Sequence, residues 1–134
     1  MTYGTLKYVA QGLLTGDNKL PKEDEVVLAL LGMAYDHLAN KCQVLNLLTL
    51  DKSEDILRLG TGDYLVRTPQ LPTTDSDELD IDDNLGYAAA SLIASYISKN
   101  KSPIHEKRAA DAILVHNGKV EELVDALKNG SVNA

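Results

Sequence analysis

The spacing of apolar residues changes at residue 42 and changes back near residue 81, and this switch constrains the fold more than any single motif does. Before it, Leu6, Val9, Ala10, Leu13 and Leu14 recur every three or four positions, which predicts a short helix stopped by Gly16, Asp17 and Asn18. Pro21 suits the first turn of a second helix, and Lys22, Glu23, Asp24 and Glu25 follow it. Val26, Val27, Leu30, Leu31, Ala34, Tyr35 and Leu38 then give it a broad apolar face, placing it over 21–41. After Lys41 the period is lost. CQVLNLLTL is β-rich, DKSED is a turn cluster, ILRL is short and apolar, GTGD is a second turn, and YLVR is extended before Pro69 and Pro72. Residues 42–73 therefore read as a β-hairpin or three-stranded meander followed by an extended arm. From Ile81 the helical period returns through Leu85, Ala88, Ala89, Leu92, Tyr96 and Ile97, until the stretch from Ser98 to Ser102 breaks it. A last helix runs from Pro103 towards Gly130, with Asn117-Gly118 expected to kink or interrupt it, and residues 131–134 form a flexible tail.

The expected fold is mainly α with a small β part (α+β): a bundle of about four helices in one domain spanning 1–134, with an N-terminal helix and loop over 1–20. A chain of 134 residues is long enough for a core without disulfides. That core must be aliphatic, because the chain has no Trp and no Phe and relies on Leu, Val, Ile, Ala and six Tyr. Strands this short are marginal alone, so they need the helices or a neighbouring subunit to cover them.

Thirteen Lys and Arg against twenty Asp and Glu give a formal charge of −7, which argues against a protein that grips nucleic acid through its phosphates. Six carboxylates crowd into residues 75–83. A calcium loop would need Gly at its sixth position and Glu at its twelfth; counting from Asp80 these are Leu85 and Ser91, and counting from Asp75 the pattern already fails at Leu79. No neighbouring groups equip the segment for acid/base work. It reads instead as a helix start, with Asp80 and Asp82 as caps for the helix that follows and Asp75, Asp77 and Glu78 as a solvated loop.

The remaining chemistry-bearing residues form no recognisable set. His37 and Cys42 lie on different helical faces, and His105 and His116 stand roughly 16 Å apart along a helix axis, so solvated or second-layer histidines are expected rather than metal ligands. Cys42 reads as a reduced, partly buried small hydrophobe. GTGD lacks the ending of a phosphate-binding loop, and no serine or cysteine nucleophile can be tied to a base. No catalytic residue, cofactor or metal is expected. The first residues lack the pattern of a secretory signal, and no apolar run is long enough to span a membrane.

The order helix, helix, small β element, YLVRTPQLP, an acidic run with LDIDDNL, an alanine-rich helix ending near YIS and a long charged helix resembles the small head-tail adaptor (connector) proteins of tailed bacteriophages. The telling residues are Tyr64 to Arg67, Pro69, Leu71, Pro72, Leu79 to Asp82, Leu85, Ala88 to Ala90 and Ala94, within a likeness covering roughly 20–120. The resemblance implies a non-enzymatic structural protein of the virion neck, held in the host cytoplasm before assembly. It implies a ring of twelve copies beneath the portal protein, joining it to the next tail or nozzle component and letting DNA pass without specific binding during genome ejection. Tyr64, Leu65, Arg67, Pro69, Leu71 and Pro72 are then candidate contacts to the neighbouring subunit or the portal. Asp75, Asp77 and Glu78 are candidates to face the channel or a neighbour, and the N-terminal helix has no assigned place in the ring. The alternative is a small helical interaction or regulatory module with no virion role.

Overall fold

The computed structural model describes residues 1–98 and 104–128, with the side chains of 123–128 left out of account. Four helices and a three-stranded sheet are built from them: α1 (Tyr3–Leu13), α2 (Asp24–Lys41), β1 (Leu48–Thr49), β2 (Ile56–Leu59), β3 (Leu65–Arg67), α3 (Gly86–Ile97) and α4 (Ile104–Lys128). Short 3₁₀ turns precede β1 at Leu45–Leu47 and α3 at Asp83–Leu85. The mainly α, α+β architecture is as the sequence predicts.

α3 is the hub, packed by α1, α2 and α4. Its run of Ala88, Ala89 and Ala90 is buried together with Leu92, Ile93 and Ala94, and side chains this small let helices approach on more than one face. α1 contributes Tyr3, Leu6 and Ala10, and α2 contributes Val27, Leu31, Ala34, Tyr35 and Leu38. Burying these side chains supplies the main driving force for folding. α4 docks a thinner stripe of His105, Ala109, Ile113, His116 and Val120. It runs unbroken through Asn117-Gly118, so the expected interruption there does not occur. The side chains of Leu123, Val124 and Leu127, the stretch 99–103 and the tail 131–134 lie outside the described residues.

The sheet departs from a meander. Its strand order is β1-β3-β2, with the last strand in the middle and antiparallel to both neighbours. Gly62, at a φ of 61°, makes the tight β2–β3 turn that the GTGD stretch predicts. β1, two residues long, pairs with β3 on the side away from β2, and residues 50–55 carry the chain back to the other edge. Asp51 shapes that return, accepting from the Ser53 N–H and hydroxyl while its own N–H donates to Thr49 Oγ1. Val66, in the central strand, is fully buried, whereas β2 alternates half-buried Ile56 and Arg58 with exposed Leu57 and Leu59.

Two helix starts also move. α2 begins at Asp24 rather than Pro21, with the acidic Asp24 and Glu25 in its first turn. α3 begins at Gly86 rather than Ile81, because the chain through Leu79 to Asp82 is held by contacts elsewhere.

Candidate functional site

Each of the six carboxylates between 75 and 83 has a partner inside the chain. Asp75 Oδ1 lies 2.7 Å from Lys7 Nζ on α1. Asp77 Oδ2 accepts from the Thr73 N–H and hydroxyl at 2.8 Å and from the Thr74 N–H at 3.0 Å, which closes the turn at the end of the arm. The Thr73 and Thr74 donors on this carboxylate favour its charged form, so the Asp77 carboxyl is lowered to about 2 from the ordinary 3.8. Glu78 and Asp83 both accept from the Met1 ammonium, at 2.9 and 3.0 Å. Beside them the backbone of residues 1–4 runs along the acidic segment: Leu79 N–H donates to Met1 O, Tyr3 N–H to Asp77 O and Gly4 N–H to Asp75 O, each at 2.9 Å.

Asp80 and Asp82 do not cap α3, whose N-cap residue is Leu85 and makes no side-chain cap bond. Asp82 instead caps a distant turn, accepting from the Leu45 N–H at 2.9 Å and the Asn46 N–H at 2.6 Å at the start of the 3₁₀ turn. Asp80 receives both terminal nitrogens of Arg67 as a bidentate pair, together with Asn46 Nδ2 and the Gln70 N–H. Its own N–H donates to the hydroxyl of buried Tyr35 at 3.1 Å. The extended backbone from 79 to 82 follows from these two commitments.

The arm divides in consequence. Arg67 is held by Asp80 and Asn46 O, and Pro72 is buried, so neither is presented to solvent as a free contact. Leu65 and Pro69 are half-buried, while Tyr64 and Leu71 are exposed. Leu50, just after β1, and Leu57 and Leu59, in β2 at the other edge of the sheet, are exposed as well, the last 79 % exposed. β1 and β2 are the two edge strands; neither carries Pro or Lys, but β1 is only two residues long and β2 has an irregular register between Ile56 and Arg58, features that limit pairing at an edge.

The inner side of the sheet is anchored by a residue whose role sequence reasoning missed. Arg58 donates through Nε (3.0 Å) and Nη2 (2.6 Å) to Ala39 O and through Nη2 to Cys42 O at 3.3 Å, satisfying carbonyls at the end of α2. A single Arg in a short apolar strand, facing inward beside buried Val66, was the available signal.

Of the histidines expected to be solvated or second-layer, two are buried. His116 is 2 % exposed and joins three segments: Nδ1 meets the Asn84 amide, while Nε2 lies 2.5 Å from Gln43 O and 3.4 Å from Asp82 Oδ2. His105 is 6 % exposed and its Nδ1 has no hydrogen-bond partner among the described residues. Cys42 is buried, its thiol donating to Leu38 O, and burial pushes that thiol up to about 11, well away from a reactive thiolate. Among the described residues no three His, Cys, Asp or Glu side chains converge as metal ligands, and no helix is long and apolar enough to cross a membrane.

No protein-family model, curated protein or solved structure matches this chain.

Proposed function

We propose that the chain is a head-to-tail adaptor of a tailed bacteriophage virion, a structural protein without catalytic activity whose copies form a ring on the portal and carry the next tail or nozzle component. The observation that carries the reading is the sheet. Two edge strands lie on opposite sides of β3, next to exposed Leu50, Leu57, Leu59 and Tyr64. A ring contact joins two different patches of the same chain, and a sheet whose two edge strands each lie beside exposed apolar side chains supplies two. The twelve-membered ring and the portal as partner come from the pattern of residues 20–120 described above.

The acidic segment keeps a role in this reading, in modified form. Asp75, Glu78 and Asp83 hold internal partners yet remain largely exposed. At −7 per chain, twelve copies carry about −84, and the part facing a channel repels DNA phosphates and discourages sticking. Asp77 is a poor probe of that idea, because its removal opens the turn at Thr73 and Thr74.

The test is to mix the purified chain with purified portal rings and image the product. A stoichiometric ring on the portal is expected, and its loss with Leu59→Glu would place the sheet at the contact. Portals that never acquire the chain would overturn the proposal. In rings that do form, Asp75→Asn with Glu78→Gln is expected to slow DNA ejection without altering assembly; failed or less salt-sensitive assembly would mark the segment as an interface instead.

A further inference from the structure

α4 carries a second apolar surface that the bundle does not use. At 100° per residue, its buried stripe of His105, Ala109, Ile113, His116 and Val120 lies opposite a stripe of Ile104, Lys107, Arg108, Asp111, Val115, Gly118 and Glu122, flanked by Leu114 and Glu121. All of the second set are exposed. Leu114 and Val115, at its middle, are 72 % and 60 % exposed. Lys107 and Arg108 stand on the N-terminal side of this apolar centre and Glu121 and Glu122 on the other, and none of the four makes a salt bridge within the described residues.

This arrangement is complementary to itself when reversed. We infer that the outer face of α4 is a two-fold self-association surface, on which a second copy of this chain lays its own α4 antiparallel across Leu114 and Val115. The register that stacks Leu114 on Val115 of the second copy sets Lys107 against Glu122, Arg108 against Glu121, and Asp111 against Gly118. A Cβ at Gly118 would meet nothing within 4 Å among the described residues outside its own helical turn, so the backbone offers room for close approach there. The parallel alternative is excluded by charge, since it sets Lys107 on Lys107 and Glu122 on Glu122. A portal or tail component is a less specific occupant, because nothing about it would require the charges to be mirrored about the centre. The contact is also distinct from a ring contact: it joins one patch to itself, whereas a ring joins two different patches. It therefore stands or falls independently of the adaptor reading.

Sedimentation of the full chain over micromolar to millimolar concentrations tests it. The wild type is expected to show a monomer–dimer equilibrium. Lys107→Glu with Arg108→Glu, and separately Glu121→Lys with Glu122→Lys, are each expected to weaken it at least tenfold. Both double changes move charge in the direction the helix dipole favours, so lost association would not reflect a lost helix, and circular dichroism checks this. An equal mixture of the two double variants is the decisive sample. All four pairs become attractive between unlike chains, so a heterodimer at least as stable as the wild-type dimer is expected, with neither variant pairing with itself. Leu114→Asp is expected to abolish association in every combination. A wild type monomeric throughout, double variants that still dimerise, or a mixture that stays monomeric would each overturn the inference.

Discussion

Asp82 lies 37 residues along the chain from the Leu45 N–H it receives, and distances of this kind decide what the acidic run does. The sequence displays six acids and invites a local reading, a helix start; their partners are Lys7, Arg67, the 3₁₀ turn at 45 and the first residue, which no spacing rule connects. Only Asp77 serves its own neighbourhood. Asp82→Ala is expected to cost about 1–2 kcal/mol in urea unfolding, the range of a lost cap, and Asp82→Asn is expected to keep only one of the two bonds, because the Leu45 and Asn46 N–H groups use different carboxylate oxygens and an amide nitrogen cannot accept. Tyr35→Phe leaves the Asp80 N–H without its acceptor and is expected to cost about 1 kcal/mol. Asp77 adds an acid sensitivity of defined sign. Its carboxyl is lowered by the Thr73 and Thr74 donors, so its contribution is complete above the ordinary 3.8 and is lost as pH falls towards about 2. Asp77→Asn should flatten the dependence of unfolding midpoint on pH between those values and leave it unchanged near neutrality.

Periodicity revealed the helices because each buries a stripe that repeats within its own residues, and it located all four, though α2 and α3 start later than it predicts. It failed at α3's first turn and at the strand order, since both depend on what 45–47 and 79–82 do to each other across the fold. The hairpin turn, written in GTGD, was legible; the third strand inserted between the other two was not. Two glycines with opposite expectations test this reading of the elements. A Cβ on Gly60 would sit 2.9 Å from Tyr64 O and 3.1 Å from Leu48 Cδ2, so Gly60→Ala must open the β2–β3 hairpin and is expected to destabilise by about 1–3 kcal/mol. Gly32, inside α2, has nothing within 4 Å, and Gly32→Ala should stabilise by about 0.5–1 kcal/mol through helix propensity. Paired thermal melts of the two variants measure both signs in one experiment.

For the molecule as a whole, α3 and α4 mark the two ends of a stability gradient. α3 is surrounded by the other helices and buries eight of its twelve residues, whereas α4 meets the bundle through a stripe that includes two imidazoles. The two differ in their neighbours: His116 lies between a carbonyl and a carboxylate, while His105 Nδ1 faces no acceptor among the described residues. Burial, and secondarily the Arg108 guanidinium on the same helix, lower the His105 pKa below its ordinary 6.5. The folded chain then binds this proton less well than the unfolded chain does. Its contribution to stability is present above 6.5 and is lost as pH falls below that value. Hydrogen exchange followed by mass spectrometry should therefore find α3 the slowest element at neutral pH and α4 faster. After correction for the intrinsic pH dependence of exchange, acidification to about 5.5, below the ordinary histidine value, should speed the first turns of α4 selectively. His105→Gln, which cannot take up the proton, should remove that selective acceleration even if it lowers stability at every pH. Uniform acceleration of all four helices, or the same acid response in the variant, would show that docking of α4 does not depend on the neutral imidazole.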